Sequence, residues 1–200
     1  MWGGGDRCAG RNAVAGAPVG LAYPWGMTEQ LIPVRGRTPR LGPGCRVLPT
    51  AILTGEVLAG ESCTFWFGSV VRGDVGRVTL GDRVNVQDGA VLHCTYERFD
   101  LTIGSDVSIG HRAIVHGCTV ADEVLIGMGA IVMDGAIIET GTLVAAGAVV
   151  TQGTRCASGG IYAGVPARRI KELSPGAFAG EVLRVAAAYP RYAAWYDAPE

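Results

Sequence analysis

Neither sign of charge dominates this 200-residue chain: 17 lysines and arginines stand against 18 aspartates and glutamates, for a formal charge of -1. It therefore has no basic footprint for nucleic acid and no polybasic patch for anionic lipid. No apolar run approaches the roughly 18 residues of a membrane span. The six cysteines (Cys8, Cys45, Cys63, Cys94, Cys118, Cys156) include no C-x-x-C pair and no dense spacing. That usage fits free thiols in a cytoplasmic protein better than a disulfide framework. Glycine is the exception to scarcity, with 31 residues against a usual share of about 7%, yet there is no G-X-Y period of the collagen kind. The partners left open are small molecules and other protein subunits.

Residues 1–26 have neither helical nor strand periodicity. Arg7 and Arg11 ahead of AVAGAPVGLA faintly suggest a signal peptide, but Gly and Pro interrupt the apolar part and no small-residue cleavage box follows. The expectation is a disordered leader ahead of a start at Met27.

From about Leu41 a six-residue rhythm begins. Its apolar keys are Leu41, Val47, Leu53, Ala59, Phe65 and Val71, then Leu80, Val86 and Leu92, then Ile103, Ile109 and Val115, then Val120, Ile126, Val132, Ile138, Val144 and Val150. Such a repeat predicts a mostly β fold: a left-handed parallel β-helix in which each hexad supplies one side and three close a triangular coil. Eighteen keys predict about six coils, over 27–169. Beyond Val150 the rhythm fades. Ser174 and Pro175 then suit the cap and first turn of a helix. Phe178, Val182, Val185, Ala186 and Tyr189 give that helix an apolar face, and Pro190 is expected to end it. Residues 170–200 are thus read as a helix and tail packed on the solenoid, with Tyr192, Trp195 and Tyr196 in packing or subunit contacts.

The rhythm slips in three places: Val71 to Leu80 and Leu92 to Ile103 are too long, and Val115 to Val120 is too short. All three slips fall at one corner of the triangle, and insertions in repeat proteins gather on the working face. All three histidines of the chain, His93, His111 and His116, lie within the same stretch, and shared metal ligation is the economical reason. His93 and His116 each follow a third-hexad key, so they stack in one column about 4.8 Å apart. His111 lies two past a second-hexad key, on another side of the prism. It cannot easily join them from the same chain, whereas a threefold oligomer would bring it from a neighbour. By the same count Arg72 shares the His93 column and Asp88 the His111 column. A bidentate Arg72–Asp88 contact between subunits is therefore expected one rung from the metal. Gln87 could project toward the reacting water.

WFGSVVRGD, NVQDGAVLH, IGH, VHGC and LIGMGA on such a solenoid closely resemble the gamma-class carbonic anhydrases, in particular a shorter bacterial branch described as gamma-carbonic-anhydrase-like. The resemblance spans about Met27 to Leu183. It implies a homotrimer in which His93, His111 and His116 bind zinc, or iron or cobalt, across subunit interfaces. It further assigns Arg72, Asp74 and Asp88 to the interface and Gln87, Asn85 and Tyr162 to the catalytic pocket. Asp74 and Asn85 have the competing role of satisfying backbone groups at corners. Three neutral nitrogens that leave a coordination position open make bound water acidic near pH 7, ready to attack carbon dioxide or a carbonyl.

Two departures from the archetype bear on rate. A glutamate that follows its R-x-D triplet is Val75 here, and the acidic loop after the first histidine is reduced to CTYERFD. Since proton removal limits a fast hydration cycle, weak anhydrase activity is expected unless Glu97 turns back over the metal. The other readings are a metal-dependent acyl-CoA thioesterase, a hexapeptide acyltransferase and a non-catalytic trimeric scaffold.

Overall fold

The computed structural model describes residues 30–173 and 177–197. The leader, the Met27 start and the Ser174–Pro175 cap lie outside the described residues. What is described is a left-handed parallel solenoid followed by one α-helix, Ala177–Ala194.

The hexad keys become the core. Leu53, Phe65, Leu92, Ile109, Ile126 and Ile138 are fully buried and, with the other keys, stack in registered columns, Leu41 and Ala59 being only partly covered. Burial of each contributes about 1.5–3 kcal/mol before conformational entropy is counted. Most keys sit in two- or three-residue strands, because a triangular coil leaves only that much straight chain per side; Leu53, Ala59, Val71 and Leu80 lie in longer strands that turn a corner. The corners need left-handed backbone, and late in the chain glycine supplies it every six residues, from Gly129 through Gly135, Gly141, Gly147 and Gly153 to Gly159, with φ of 67° to 69°.

The coils number seven, one more than the key count predicts. Cys156 and Tyr162 continue the rhythm, paired in register with Ile138 and Val144. The periodicity fades in the sequence there because a thiol and a phenol occupy positions held elsewhere by Val, Ile or Leu. After Gly160–Ala163 the chain reverses into the strand Arg168–Glu172, antiparallel to it, which closes the second side of the prism. That strand straddles the expected boundary between solenoid and tail.

The corner where the rhythm slips is not a simple loop. Strands Ile52–Ala59 and Val70–Leu80 run through it from the third side of one coil to the first side of the next, with a register shift between Gly55 and Val57. Here the two chains come too close for side chains: a Cβ on Gly73 would lie 2.3 Å from the Glu56 carbonyl oxygen. One coil later the extra residues form a small turned loop, closed by a Thr95–Phe99 bridge.

The helix lies on the second side, against strands Thr64–Phe65 and Ser108–Ile109. Val182, Ala186 and Ala193 are buried and Tyr189 half-buried, as the apolar spacing requires. Trp66 meets Tyr189 edge-on, with centroids 5.2 Å apart and planes at 90°. Contrary to expectation Pro190 does not end the helix, which continues to Ala194. The about 3 kcal/mol cost of an internal proline is offset by Tyr192 and Ala193, which pack beyond it onto Leu48 and Trp66. Arg46 of the first coil then holds Asp197 through two contacts of 2.6 and 3.0 Å. Tyr192 packs as expected, while Trp195 is exposed.

Candidate metal centre

Pairing of the third-side strands puts His116 directly beside His93, with Val115 beside Leu92. Val71 pairs with Leu92, so Arg72, next in its strand, is the rung before His93. The predicted column is therefore formed. Within it His93 Nδ1 and His116 Nε2 face each other at 3.0 Å, close to the about 3.3 Å that separates two nitrogens on a tetrahedral zinc.

Each histidine also has a carboxylate on its other side. His116 Nδ1 is 2.6 Å from Asp134 Oδ1, His93 Nε2 is 3.1 Å from Asp74 Oδ1, and His111 Nδ1 is 2.9 Å from Asp88 Oδ2. When Nδ1–H of His116 donates to Asp134, its Nε2 lone pair is left for a metal, which is the outer support that ligating histidines characteristically have. At His93 two neighbours compete, since Arg72 Nη2 lies 2.9 Å from the same Nε2. Nε2 accepts from Arg72 in one tautomer and donates to Asp74 in the other. Only the second gives Nδ1 a lone pair that faces His116. Asp74 thus supports a histidine rather than merely a corner.

Asp134 was not read from the sequence. Thr95, in the inserted loop, donates to its other oxygen at 2.8 Å. Burial opposes ionisation of Asp134, but the bonds from His116 and Thr95 outweigh it and hold the carboxyl below its usual range. Space for this carboxylate comes from Gly117, where a Cβ would stand 2.1 Å from Asp134 Oδ1.

His93 titrates below an ordinary imidazole, because burial and then the Arg72 charge disfavour its cation more than Asp74 favours it. Stability from this neutral ring is fully present above the unfolded value near pH 6.5 and is lost as pH falls through the lower folded value. Accordingly, the urea midpoint of His93→Gln should decline less than that of the unmodified chain between about pH 8 and about pH 5. Parallel declines would show that His93 contributes no such pH dependence.

His111 lies at the corner past the second side, half exposed. Among the described residues, no group of three or more His, Cys, Asp or Glu side chains of one chain is arranged to hold a metal ion. Arg72 is paired with Asp74 and His93 within the chain rather than with Asp88. The helix covers the flat of the second side, while the corner that carries His111 stays partly exposed.

Gln87 and Asn85 form a buried relay beside this corner: Gln87 Nε2 donates to Asn85 Oδ1 at 2.9 Å, and Asn85 Nδ2 donates to Ser108 Oγ at 2.8 Å. Asn85, expected in the catalytic pocket, is thus committed at both ends, to Gln87 and to Ser108. Tyr162 lies apart from this relay. It occupies a key position in the core, its hydroxyl accepting from Ala157 N–H at 2.7 Å, three rungs from the His111 strand.

In the loop after His93, Tyr96 and Glu97 line a cavity of about 320 Å³ that Asp74, Val75, Arg35 and Arg37 also line. Arg37 and Arg77 both pair with Glu56 at the edge of this corner.

Comparison with known proteins places these features in context. The chain is 40% identical to Protein YrdA of Escherichia coli over 177 residues, 86% of this chain and 94% of that one. It is 49% identical to a "Probable carbonic anhydrase" of Methanocaldococcus jannaschii over 129 residues, covering 64% and 80%. Among solved structures, a hexapeptide transferase family protein from Anaplasma phagocytophilum superposes with a TM-score of 0.79 at 34% identity, over 84% of this chain and 98% of that one. No family model matches the chain. No described helix is long and apolar enough to cross a membrane.

Proposed function

The chain belongs to the gamma-carbonic-anhydrase-like family of hexapeptide-repeat proteins, and from that premise we propose that it is a metal-dependent enzyme of the cytoplasm that hydrates carbon dioxide at sites shared between subunits of a homotrimer. The observation that carries this reading is the set of three histidines, each with one ring nitrogen held by its own carboxylate. His93 and His116 of one chain and His111 of a neighbour would hold the metal, with zinc favoured for a nitrogen-only set and iron or cobalt as alternatives. When bound, such an ion supplies a Lewis acid that makes water acidic enough to act as a nucleophile near neutral pH.

The residues of the chain supply the rest. Asp74 and Asp134 orient two of the ligands, and Asn85 holds Gln87 so that its amide oxygen can accept a hydrogen bond from the reacting water. Exposed side chains support the subunit geometry. On the third side the column reads Arg72, His93, His116, Met133, and on the second-side corner Asp88, His111, Met128. One constant offset brings cation to carboxylate, His111 between the paired histidines, and methionine to methionine. Met128 and Met133 are 58% and 40% exposed in the single chain, apolar area that a neighbour would cover. In that assembly Arg72 exchanges His93 for Asp88 of a second copy.

Stopped-flow carbon dioxide hydration by metal-replete protein, run beside a panel of acyl-CoA hydrolyses and acetyl transfers, tests the reading. Turnover of an acyl-CoA without hydration would replace it with the thioesterase or the acyltransferase, the latter suggested by a Bacillus cereus structure that is 34% identical and named a "putative acetyltransferase". No turnover with metal bound would leave a scaffold.

Proton removal is where this chain is expected to be slow. Val75 is partly buried beside Asp74 in the cavity that Glu97 lines, so a carboxylate placed there would have a route to solvent. Val75→Glu should raise hydration in weak buffer, and Glu97→Gln should lower it, while both differences shrink in concentrated buffer. Equal rates for all three proteins in weak buffer would mean that proton transfer is not the limiting step.

A further inference from the structure

The first two coils contain a thiol pair that the metal centre does not use. Arg46 pairs in parallel register with Thr64, and its N–H donates to the Cys63 carbonyl at 2.9 Å. Cys45 and Cys63 therefore occupy the same place on neighbouring rungs. Such rungs lie about 4.8 Å apart, inside the roughly 4.4–6.8 Å between α-carbons that a disulfide spans. Both side chains pack with the core; Cys63 is fully buried, whereas Cys45, on the first coil, is only partly covered. In the reduced chain each thiol donates to a glycine carbonyl of the following coil, Cys45 to Gly60 at 3.0 Å and Cys63 to Gly81 at 3.1 Å.

We propose that Cys45 and Cys63 are a nucleophile and resolving thiol that hydrogen peroxide converts to a disulfide, stapling the first coil to the second. The accessible member is also the one that ionises first. A hydrogen bond from the Cys63 side chain lowers the Cys45 pKa, outweighing burial, and the backbone N–H groups of Cys63 and Gly42 add to it. The same hydrogen bond, followed by burial, pushes Cys63 far above an ordinary thiol. This asymmetry is the division of labour that vicinal redox thiols use: a partly exposed thiolate stabilised by a buried donor.

The atoms balance without another reductant. The Cys45 thiolate attacks one peroxide oxygen and the O–O bond breaks. The attacked oxygen keeps its hydrogen, so Cys45 becomes a sulfenic acid, and the hydroxide that departs takes up one proton and leaves as water. Cys63 gives its proton to the sulfenic hydroxyl as its sulfur attacks that of Cys45. The S–O bond breaks, a second water leaves, and the S–S bond forms.

The full chain, reduced and then treated with peroxide, should be alkylated and digested with trypsin. Cys45 lies in the peptide LGPGCR and Cys63 in the one that follows it, 47–72. The expected product is these two peptides joined, two hydrogens lighter than their sum and separated again by dithiothreitol. Closing a loop of about 18 residues should also raise the thermal midpoint of the oxidised chain by several degrees. In Cys63→Ser the sulfenic acid at Cys45 has no resolver, so dimedone should capture it several-fold more than in the unmodified chain. Cys45 found unmodified, overoxidised or joined to any other cysteine, with Cys63 still open to alkylation, overturns the proposal. Should Cys63→Ser fail to fold, the peptide map of the unmodified chain decides alone.

Discussion

His111→Ala and His93→Ala should each lose tight zinc or cobalt binding, and a mixture of the two should regain part of it. The loss is expected to be of orders of magnitude, because two nitrogens are a poor zinc site and the neighbouring carboxylates are already engaged by the histidines. Recovery follows from where the ligands lie: His93 and His116 share a column on the third side, while His111 stands at the corner of the second. In an exchanged trimer, an interface that joins His111 of the His93→Ala chain to His93 and His116 of the His111→Ala chain has all three ligands. Metal content after demonstrated subunit exchange is the measurement. A site contained within one chain could not be rescued, so exchange without recovery would refute the shared centre and the hexad counting from which it came.

Asp134→Ala should weaken metal binding by about 10- to 100-fold, the usual consequence of removing the outer partner of a ligating histidine. Without the 2.6 Å contact the His116 ring is free to turn and its Nδ1–H is no longer committed. Asp134→Asn, which can still accept from His116 but carries no charge, should lie between the two. Thr95→Val, which removes only the bond that steadies the carboxylate, should have the smallest effect of the three. Titration with cobalt, followed by its absorption, orders the series. Equal affinities for Asp134→Ala and the unmodified chain would show that His116 is oriented by packing alone.

These two predictions differ in how far the sequence foretold them. The columns of His93, His116, Arg72 and Asp88 could be counted, because a six-residue period turns position in the chain into position on a prism. Support of His116 by Asp134 could not. Asp134 lies 18 residues beyond His116 on the following rung, and it reaches that ring only because Gly117 lacks a side chain and Thr95 returns from an inserted loop. Both are tertiary circumstances that no local pattern records. Tyr162 is the opposite case, a position that counting does reach. Its pocket role came from resemblance, whereas six-residue counting from Val150 through Cys156 would have placed it in the core. Pro190 shows propensity yielding to packing, since the aromatic contacts beyond it keep the helix intact. The slipped corner was located correctly, yet two of its crossings are continuous strands, a form that insertion lengths alone do not distinguish from loops.

The strand Arg168–Glu172 has a further consequence. Coils that stack in parallel leave open hydrogen-bonding edges at the ends of the prism, a template on which further copies could add without limit and grow into fibres. At the C-terminal end that template is interrupted on the second side by a strand of opposite polarity, RRIKE, whose five residues are all exposed and four of which are charged. A second copy arriving end-on would meet the wrong direction of chain and a row of charge. Growth along the axis is thereby discouraged, while the histidine-bearing faces remain open at the side, where the contacts of the proposed trimer would return on themselves and close a particle of fixed size.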